Sequence, residues 1–208
     1  MDTDFELQKY DVSRETIKKL KDFVGILSEW NSKMNLVSKN SLEDVWNRHI
    51  LDSLQLIEYL PSNLHHLVDI GSGAGFPGIV SAIVMAEKFT DTKITLVESI
   101  TKKTAYLNDV CQKLALKNVQ IINNRVENIV FKDVDVVTAR AVAALDVLCG
   151  YAYKIFGSKG MMLFLKGKTY EQEQEVAGKN WRYVLKLHPN RYSDDGVIME
   201  LRDLRKNK

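Results

Sequence analysis

Between Val68 and Ile79 the chain reads VDIGSGAGFPGI, with four glycines in eight positions directly behind an apolar run. Glycine enlarges the entropy of the unfolded chain and contributes no packing, so such a cluster implies a tight backbone turn, a close approach to a ligand, or both. Leu67 to Ile70 suit a strand, and Pro77 suits the first turn of a helix, where its fixed φ is pre-organised and its missing N–H loses nothing. A strand, a glycine turn and a helix in that order aim free backbone N–H groups and a helix N-terminus at a ligand. They also commit the chain to a βα unit.

The same alternation continues downstream. The runs LVDI, ITLVE, VQIIN, VDVVTA and MMLFL are separated by helical patterns, which predicts an α/β fold with a doubly wound parallel sheet covered on both faces. WRYVLKL and VIMEL, joined by HPNRYSDDG with no helix between them, predict an antiparallel C-terminal pair at the sheet edge. Upstream, Ile17, Leu20, Val24 and Leu27 recur at helical spacing behind a capping Ser13. A second helix is expected from the capping-box pattern at Ser41 and Asp44 to Pro61, with Val45, Trp46, Ile50, Leu54 and Ile57 on one face. The expected organisation is an N-terminal helical extension, residues 1–64, packed without a linker on one α/β unit, residues 65–208.

Composition narrows the class. The chain has 208 residues, 45% hydrophobic and 27% charged, which suits an ordinary globular core rather than disorder. The longest apolar stretch, Ile79 to Ala86, is far too short to span a bilayer, and MDTDFELQKY lacks the basic and apolar blocks of a secretory signal. A cytoplasmic location without a membrane partner is expected. Cys111 and Cys149 sit in apolar helical patterns without metal-ligand spacing, so they read as buried reduced thiols and no metal is expected. Residues 1–65 carry 8 Lys/Arg against 11 Asp/Glu, a net of −3, whereas residues 66–208 carry 21 against 16, a net of +5. That basic excess, ending in RDLRKNK, is compatible with a polyanionic partner and equally with a solvated face.

Two ligand classes use a glycine turn of this kind. Gly73, Gly75 and Gly78 match GxGxxG, and Glu98 lies 20 residues beyond Gly78, so a dinucleotide such as NAD is one reading. S-adenosylmethionine (AdoMet) is the other. Asp69, ahead of the glycines, would meet a ligand's ammonium or ordered water but would repel a pyrophosphate. The strand ends too early for the first fingerprint glycine, and the 110 residues after Glu98 continue the same sheet rather than forming a separate catalytic unit. AdoMet is favoured. Glu98 can accept from both ribose hydroxyls of either ligand and does not discriminate.

DIGSGAGFPG, together with WNSKMNLVS, RHILDSL, ESITKKTAYL, LKNVQIINNRVE, ARAVAAL and LFLKGK, resembles the glucose-inhibited division protein B (GidB) family of small-subunit ribosomal RNA guanine-N7 methyltransferases. The segments run in the family's order over about residues 30–168, with conservative departures at Val37 and Ala139. The resemblance implies a Rossmann-like class I AdoMet-dependent methyltransferase acting on N7 of a guanine in 16S ribosomal RNA or the small subunit. It further implies cofactor contacts at Gly71, Phe76, Val126, Glu127 and Arg140. Asp69, Gly73, Gly75 and Glu98 come from the residue pattern itself.

Guanine N7 carries a free lone pair and no proton, so methyl transfer to it needs no general base. His49, His65, His66 and His188 accordingly show no triad or metal pattern. Positive charge moves onto the guanine, so cations directly beside the base are disfavoured. Arg140, the expected catalytic residue, is left to address the cofactor carboxylate, an RNA phosphate or guanine O6, or else to pair with an acid. As a residue on a ligand-facing loop it is expected to be dispensable for folding. RNA-binding roles are expected for Lys102 and Lys103 in the first turn after a Ser99 cap, where cations oppose the helix dipole. The same is expected of Arg48 and His49, and of Arg125, Lys166 and Lys168 at the carboxyl ends of strands. Arg48 could instead pair with Asp52 along its helix. Trp30 and Trp46 read as core residues, and Tyr151 and Tyr153 read as packing residues with a possible stacking role. A nicotinamide oxidoreductase and a non-catalytic RNA-binding assembly factor stand as alternatives, and a monomer is expected.

Overall fold

The structure, a computed structural model, describes residues 3–207, with side chains from Glu6 to Asn207; Lys208, the last residue of the basic tail, lies outside the described residues. Five strands, β1 (His66–Ile70), β2 (Lys93–Glu98), β3 (Val119–Asn123), β4 (Val136–Arg140) and β5 (Met161–Lys166), are mutually parallel. β6 (Trp181–Pro189) and β7 (Val197–Lys206) close the edge as the expected antiparallel pair, giving the order β3-β2-β1-β4-β5-β7-β6. The order reverses between β1 and β4, and ligands of doubly wound sheets bind beyond the carboxyl ends of the strands at such a reversal.

The apolar runs are near-continuous because both faces of the sheet are covered. Leu67, Leu96 and Leu163 point into one core, and Val68, Val97, Met162 and Phe164 point into the other. The first core is shared with α1 (Thr3–Gln8), α2 (Arg14–Asn31), α5 (Gly78–Lys88) and α6 (Thr101–Lys113). The second is covered by α7 (Leu145–Phe156) and α8 (Tyr170–Asn180). Ser13 caps α2 by accepting from the Thr16 amide at 3.2 Å, and its hydroxyl donates to Glu87 of α5 at 2.9 Å, so the cap also docks α2 on the sheet layer.

The second N-terminal helix departs from expectation. Ser38, not Ser41, is the cap: it accepts from the Ser41 amide, while the Ser41 hydroxyl is spent on the Ser38 carbonyl. The segment is broken into α3 (Lys39–Glu43), a π-helical turn over Trp46–Leu51, α4 (Asp52–Leu54) and a 3₁₀ turn over Gln55–Tyr59. Likewise Ser99 does not cap α6. Ile100 precedes it without a side-chain cap, and its amide donates instead to Glu98 at 2.8 Å. Cys149 is buried as expected, whereas Cys111 is only half-buried; both are free thiols, pushed up to about 12 by burial.

Candidate active site

The glycine turn spends its own donors. Gly71 and Ser72 both donate their amides to the Val97 carbonyl, at 2.8 and 3.1 Å; Gly73 donates to the Glu98 carboxylate at 3.0 Å, and Gly75 to the Ser72 carbonyl at 2.7 Å. These amides were expected to face a ligand. Instead they lock the turn to β2, and no anion cradle is formed from them. Gly71 adopts φ +68°, and a Cβ there would stand 2.6 Å from Val142, so both conformation and space require glycine.

Asp69 also departs from its expected role. Its carboxylate is buried beneath the turn, where Oδ1 accepts from the Thr138 hydroxyl at 2.8 Å and Oδ2 lies so close under Gly78 that a Cβ would approach it to 2.5 Å. Burial pushes the carboxyl up to about 6. It supports the turn from below and does not line the cleft above.

That cleft, of about 220 Å³, opens at the carboxyl ends of β1, β2 and β3. Gly71, Glu98, Arg125, Val126 and Glu127 line it together with Val142 and Tyr151, so residues far apart in sequence meet here. Ile70, Val97 and Val126 supply apolar wall, and Glu98 supplies a carboxylate that accepts one bond at each oxygen, from the Gly73 and Ile100 amides. A carboxylate has about four lone-pair sites, so two remain for hydroxyl donors. Gly73, Gly75 and Phe76 do not line this cleft.

A second cleft of about 220 Å³ lies across the β4 loop. Ala141 borders it and Val142, the next residue, borders the first, so one backbone ridge separates the two. Ala141 holds φ +55°, a costly conformation for a residue with a Cβ. Arg140 sits at the centre of the second cleft and donates to Asp52 at 2.9 Å and to His49 Nδ1. Its guanidinium lies 5.7 Å from the Phe76 ring centroid, and the His49 ring stacks on the other partner of that contact, Phe76, at 4.7 Å and 15°. Asp52 also accepts from Asn190 at 2.6 Å and from Gln55 at 3.2 Å. Burial raises the Asp52 carboxyl, and the guanidinium opposes that rise. His49 is pushed down to about 3 by burial and by the charges of Arg140 and Arg48.

Arg140 is therefore the half-buried partner of an ion pair rather than a free loop cation, which argues against the expectation that it is dispensable for folding: removing it would strand the buried Asp52 carboxylate. Asp52 answers Arg140 and not Arg48, which is exposed at the rim of the same cleft. Lys166 also differs from expectation: its ammonium is held by Glu173 at 2.5 Å and by the Ala143 carbonyl at 3.0 Å. Lys168, Lys102 and Arg125 are exposed and Lys103 is half-buried; Lys102 and Lys103 do lie in the first turn of α6. Trp30 and Trp46 are half-buried against the first core, and Tyr153 meets Trp181 at 5.5 Å. Asp52, Gln55, Asn190, Ala141 and Val142 were not foreseen. Asn190 belongs to the β6–β7 loop, which carried no signal beyond its polarity.

No helix among the described residues is long and apolar enough to cross a membrane. The fold is that of methyltransferases. A SAM dependent methyltransferase from Aquifex aeolicus superposes with a TM-score of 0.56 at 15% identity, over 72% of this chain and 88% of that one. A SAM-dependent O-methyltransferase from Thermotoga maritima gives 0.55 at 15%, over 76% and 66%. Sequence relatives are much nearer. "Ribosomal RNA small subunit methyltransferase G" of Ruegeria sp. (strain TM1040) is 43% identical over 173 residues, 83% of either chain. The protein of that name from Paramagnetospirillum magneticum is 38% identical over 202 residues, 97% of this chain and 96% of the relative. Residues 16–191, which carry the first cleft, the ridge and all of the second cleft's lining except Tyr192 and Ser193, match the family described as rRNA small subunit methyltransferase G, and the chain belongs to that family, GidB.

Proposed function

We propose that this chain transfers a methyl group from AdoMet to N7 of a guanine in 16S ribosomal RNA, acting as a monomer in the cytoplasm. The observation that carries the reading is the pairing of two unlike clefts across the Ala141–Val142 ridge. The first suits a nucleoside that bears no pyrophosphate: its turn amides are occupied internally, its walls are apolar, and Glu98 keeps lone pairs for a ribose diol. A dinucleotide would need the cradle those amides do not provide. Glu98, Val126 and Glu127 would hold the adenosine part of AdoMet over Gly71, with Asp69, Gly73 and Gly75 shaping the turn beneath.

AdoMet, when bound, supplies an electrophilic methyl group on a sulfonium. The guanine N7 lone pair forms the new bond as the sulfur–carbon bond breaks, and its electron pair stays on sulfur. No proton moves at N7, so the protein has to position the base, exclude water and tolerate the charge that arrives on the ring. The second cleft is arranged for that task. Its half-buried cation, Arg140, is neutralised by Asp52, and its imidazole is kept uncharged, so no unpaired positive group stands in its interior. Arg140, through His49 and Phe76, sets the shape of the acceptor site. Arg48, Lys102, Lys103, Arg125 and Lys168 form a basic rim for RNA phosphates, while Lys166 acts as a structural ion pair.

Purified protein is to be incubated with isotope-labelled AdoMet and small ribosomal subunits from cells lacking the gene, and the nucleosides identified by mass spectrometry. Labelled 7-methylguanosine is the expected product. Subunit binding without any labelled nucleoside would replace the enzyme by a non-catalytic RNA-binding factor.

A further inference from the structure

His49 carries a buried hydrogen-bond donor that the protein itself leaves unused. Arg140 has only donors to give, so His49 Nδ1 accepts and the ring proton of the neutral imidazole sits on Nε2. Nε2 is buried without a partner, in a residue 7% exposed. Buried polar groups in native proteins are almost always paired, so an orphan donor with almost no accessible surface of its own, in a residue that borders a cleft, marks a place that a ligand reaches by displacing what covers it. The ring is also held rigidly. Phe76 covers one face, Arg140 fixes the edge, and the backbone runs through the π-helical turn Trp46–Leu51, a widened turn often found at functional sites. Next to it, Ala141 keeps its costly positive φ at the border with the cofactor cleft.

We propose that His49 determines base specificity by donating its Nε2–H to O6 of the target guanine. The inference rests on the second cleft being the acceptor site. Guanine presents two acceptors, N7 and O6, on its major-groove edge, whereas adenine presents N7 beside an amino donor. A donor fixed at His49 therefore pairs with guanine and confronts the adenine amino group with a second donor. Engaging O6 leaves N7 free for the methyl group. Burial and the flanking charges of Arg48 and Arg140 keep the imidazole neutral, so it recognises O6 without opposing the charge that develops on the base. An arginine or lysine making the same contact would oppose it.

The test uses small subunits reconstituted with the target guanine, with inosine, which keeps O6 and N7, or with 2-aminopurine, which keeps N7 but lacks O6. Wild-type enzyme should methylate guanine and inosine at similar rates and 2-aminopurine about tenfold or more slowly, the loss expected when a donor is left unpaired. His49→Phe keeps the stack on Phe76 and removes the donor. It should lower kcat/KM for guanine by about tenfold or more, abolish the preference for guanine over 2-aminopurine, and leave AdoMet affinity unchanged. His49→Gln, which keeps a donor, should restore part of the preference. A second readout needs no variant: in protein labelled with ¹⁵N-histidine, the His49 Nε2–H resonance should shift with guanine RNA and not with 2-aminopurine RNA. A full preference in folded His49→Phe, or a resonance indifferent to the base, overturns the proposal. Wild-type enzyme that forms no 7-methylguanosine at all would instead overturn the functional reading on which it rests.

Discussion

The two clefts that flank β4 are equal in size and opposite in construction. In the first, the turn is locked by its own amides, and the one buried carboxylate at the wall, Glu98, serves as an acceptor for backbone donors on both sides. In the second, the interior is an ion pair, Arg140 with Asp52, backed by Asn190 and Gln55 and bordered by an imidazole with an unused donor. In the first, the glycine turn and Glu98 are satisfied within one contiguous unit, β1 to β2, and the rest of the wall comes from the segment after β3, the loop after β4 and α7. The second draws on four remote stretches of chain: the π-helical turn with α4, the end of β4, the end of β5 and the β6–β7 loop. A site for a constant cofactor can be finished in advance, whereas a site for a base in a large RNA has to leave a donor for its ligand.

The largest effect that would sharpen this contrast is on stability. Arg140→Ala should cost about 3–5 kcal/mol in urea denaturation, because Asp52 is left as a buried charge with only amide donors, and Arg140→Ala combined with Asp52→Asn should recover part of the loss. Wild-type stability in the single variant would mean that the pair is not an interior one. Glu98→Gln should weaken AdoMet binding by about 10–100-fold in calorimetry, the scale of hydrogen bonds to a charged group, and leave RNA affinity alone. Equal losses of both affinities would erase the division between the clefts.

Smaller effects concern the rim and acid. Lys102→Ala with Lys103→Ala should reduce the slope of log affinity for RNA against log salt by about 1.4, with no change in AdoMet affinity. An unchanged slope would remove these lysines from the RNA face. Acid should separate the clefts by sign. The Asp69 carboxyl rises from 3.8 to about 6 on folding, so the native state binds its proton more tightly and gains stability as pH falls from 6 toward 4. The His49 ring falls from 6.5 to about 3, so the unfolded chain binds its proton more tightly and stability is lost as pH drops below 6.5. Between pH 7 and pH 4, thermal melts of Asp69→Asn should show a steeper acid loss than wild type, and those of His49→Phe a shallower one. Changes of the same sign in both would contradict the burial of one group or the other.

What the sequence made legible was whatever is local. The strands at LVDI, ITLVE and MMLFL, the cap at Ser13 and the glycine turn all follow from periodicity or from φ requirements within a few residues. The lining of the first cleft was legible in part, because Glu98 and Val126 sit at strand ends that any doubly wound sheet brings together. The second cleft was not. Arg48 stands four residues before Asp52 and invites a helical pair, but a buried carboxylate needs a buried partner, and only the folded sheet carries Arg140 across to it. The Asn190 contact to Asp52 spans 138 positions, and no local pattern encodes it. Asp69 was misjudged for a related reason: its place ahead of the glycines is visible in the sequence, whereas its burial under Gly78 depends on how closely α5 approaches β1. The break of the second N-terminal helix into a π-helical turn likewise belongs to the packing.

The division of labour between the clefts is tested most directly by a crystal structure of the protein with S-adenosylhomocysteine and a guanine-containing fragment of the target RNA. The ribose is expected against Glu98 with the adenine beside Val126, and the guanine in the second cleft with O6 on His49 and N7 turned toward the Ala141–Val142 ridge. An adenine seated beside His49, or a guanine bound away from the second cleft, would contradict it.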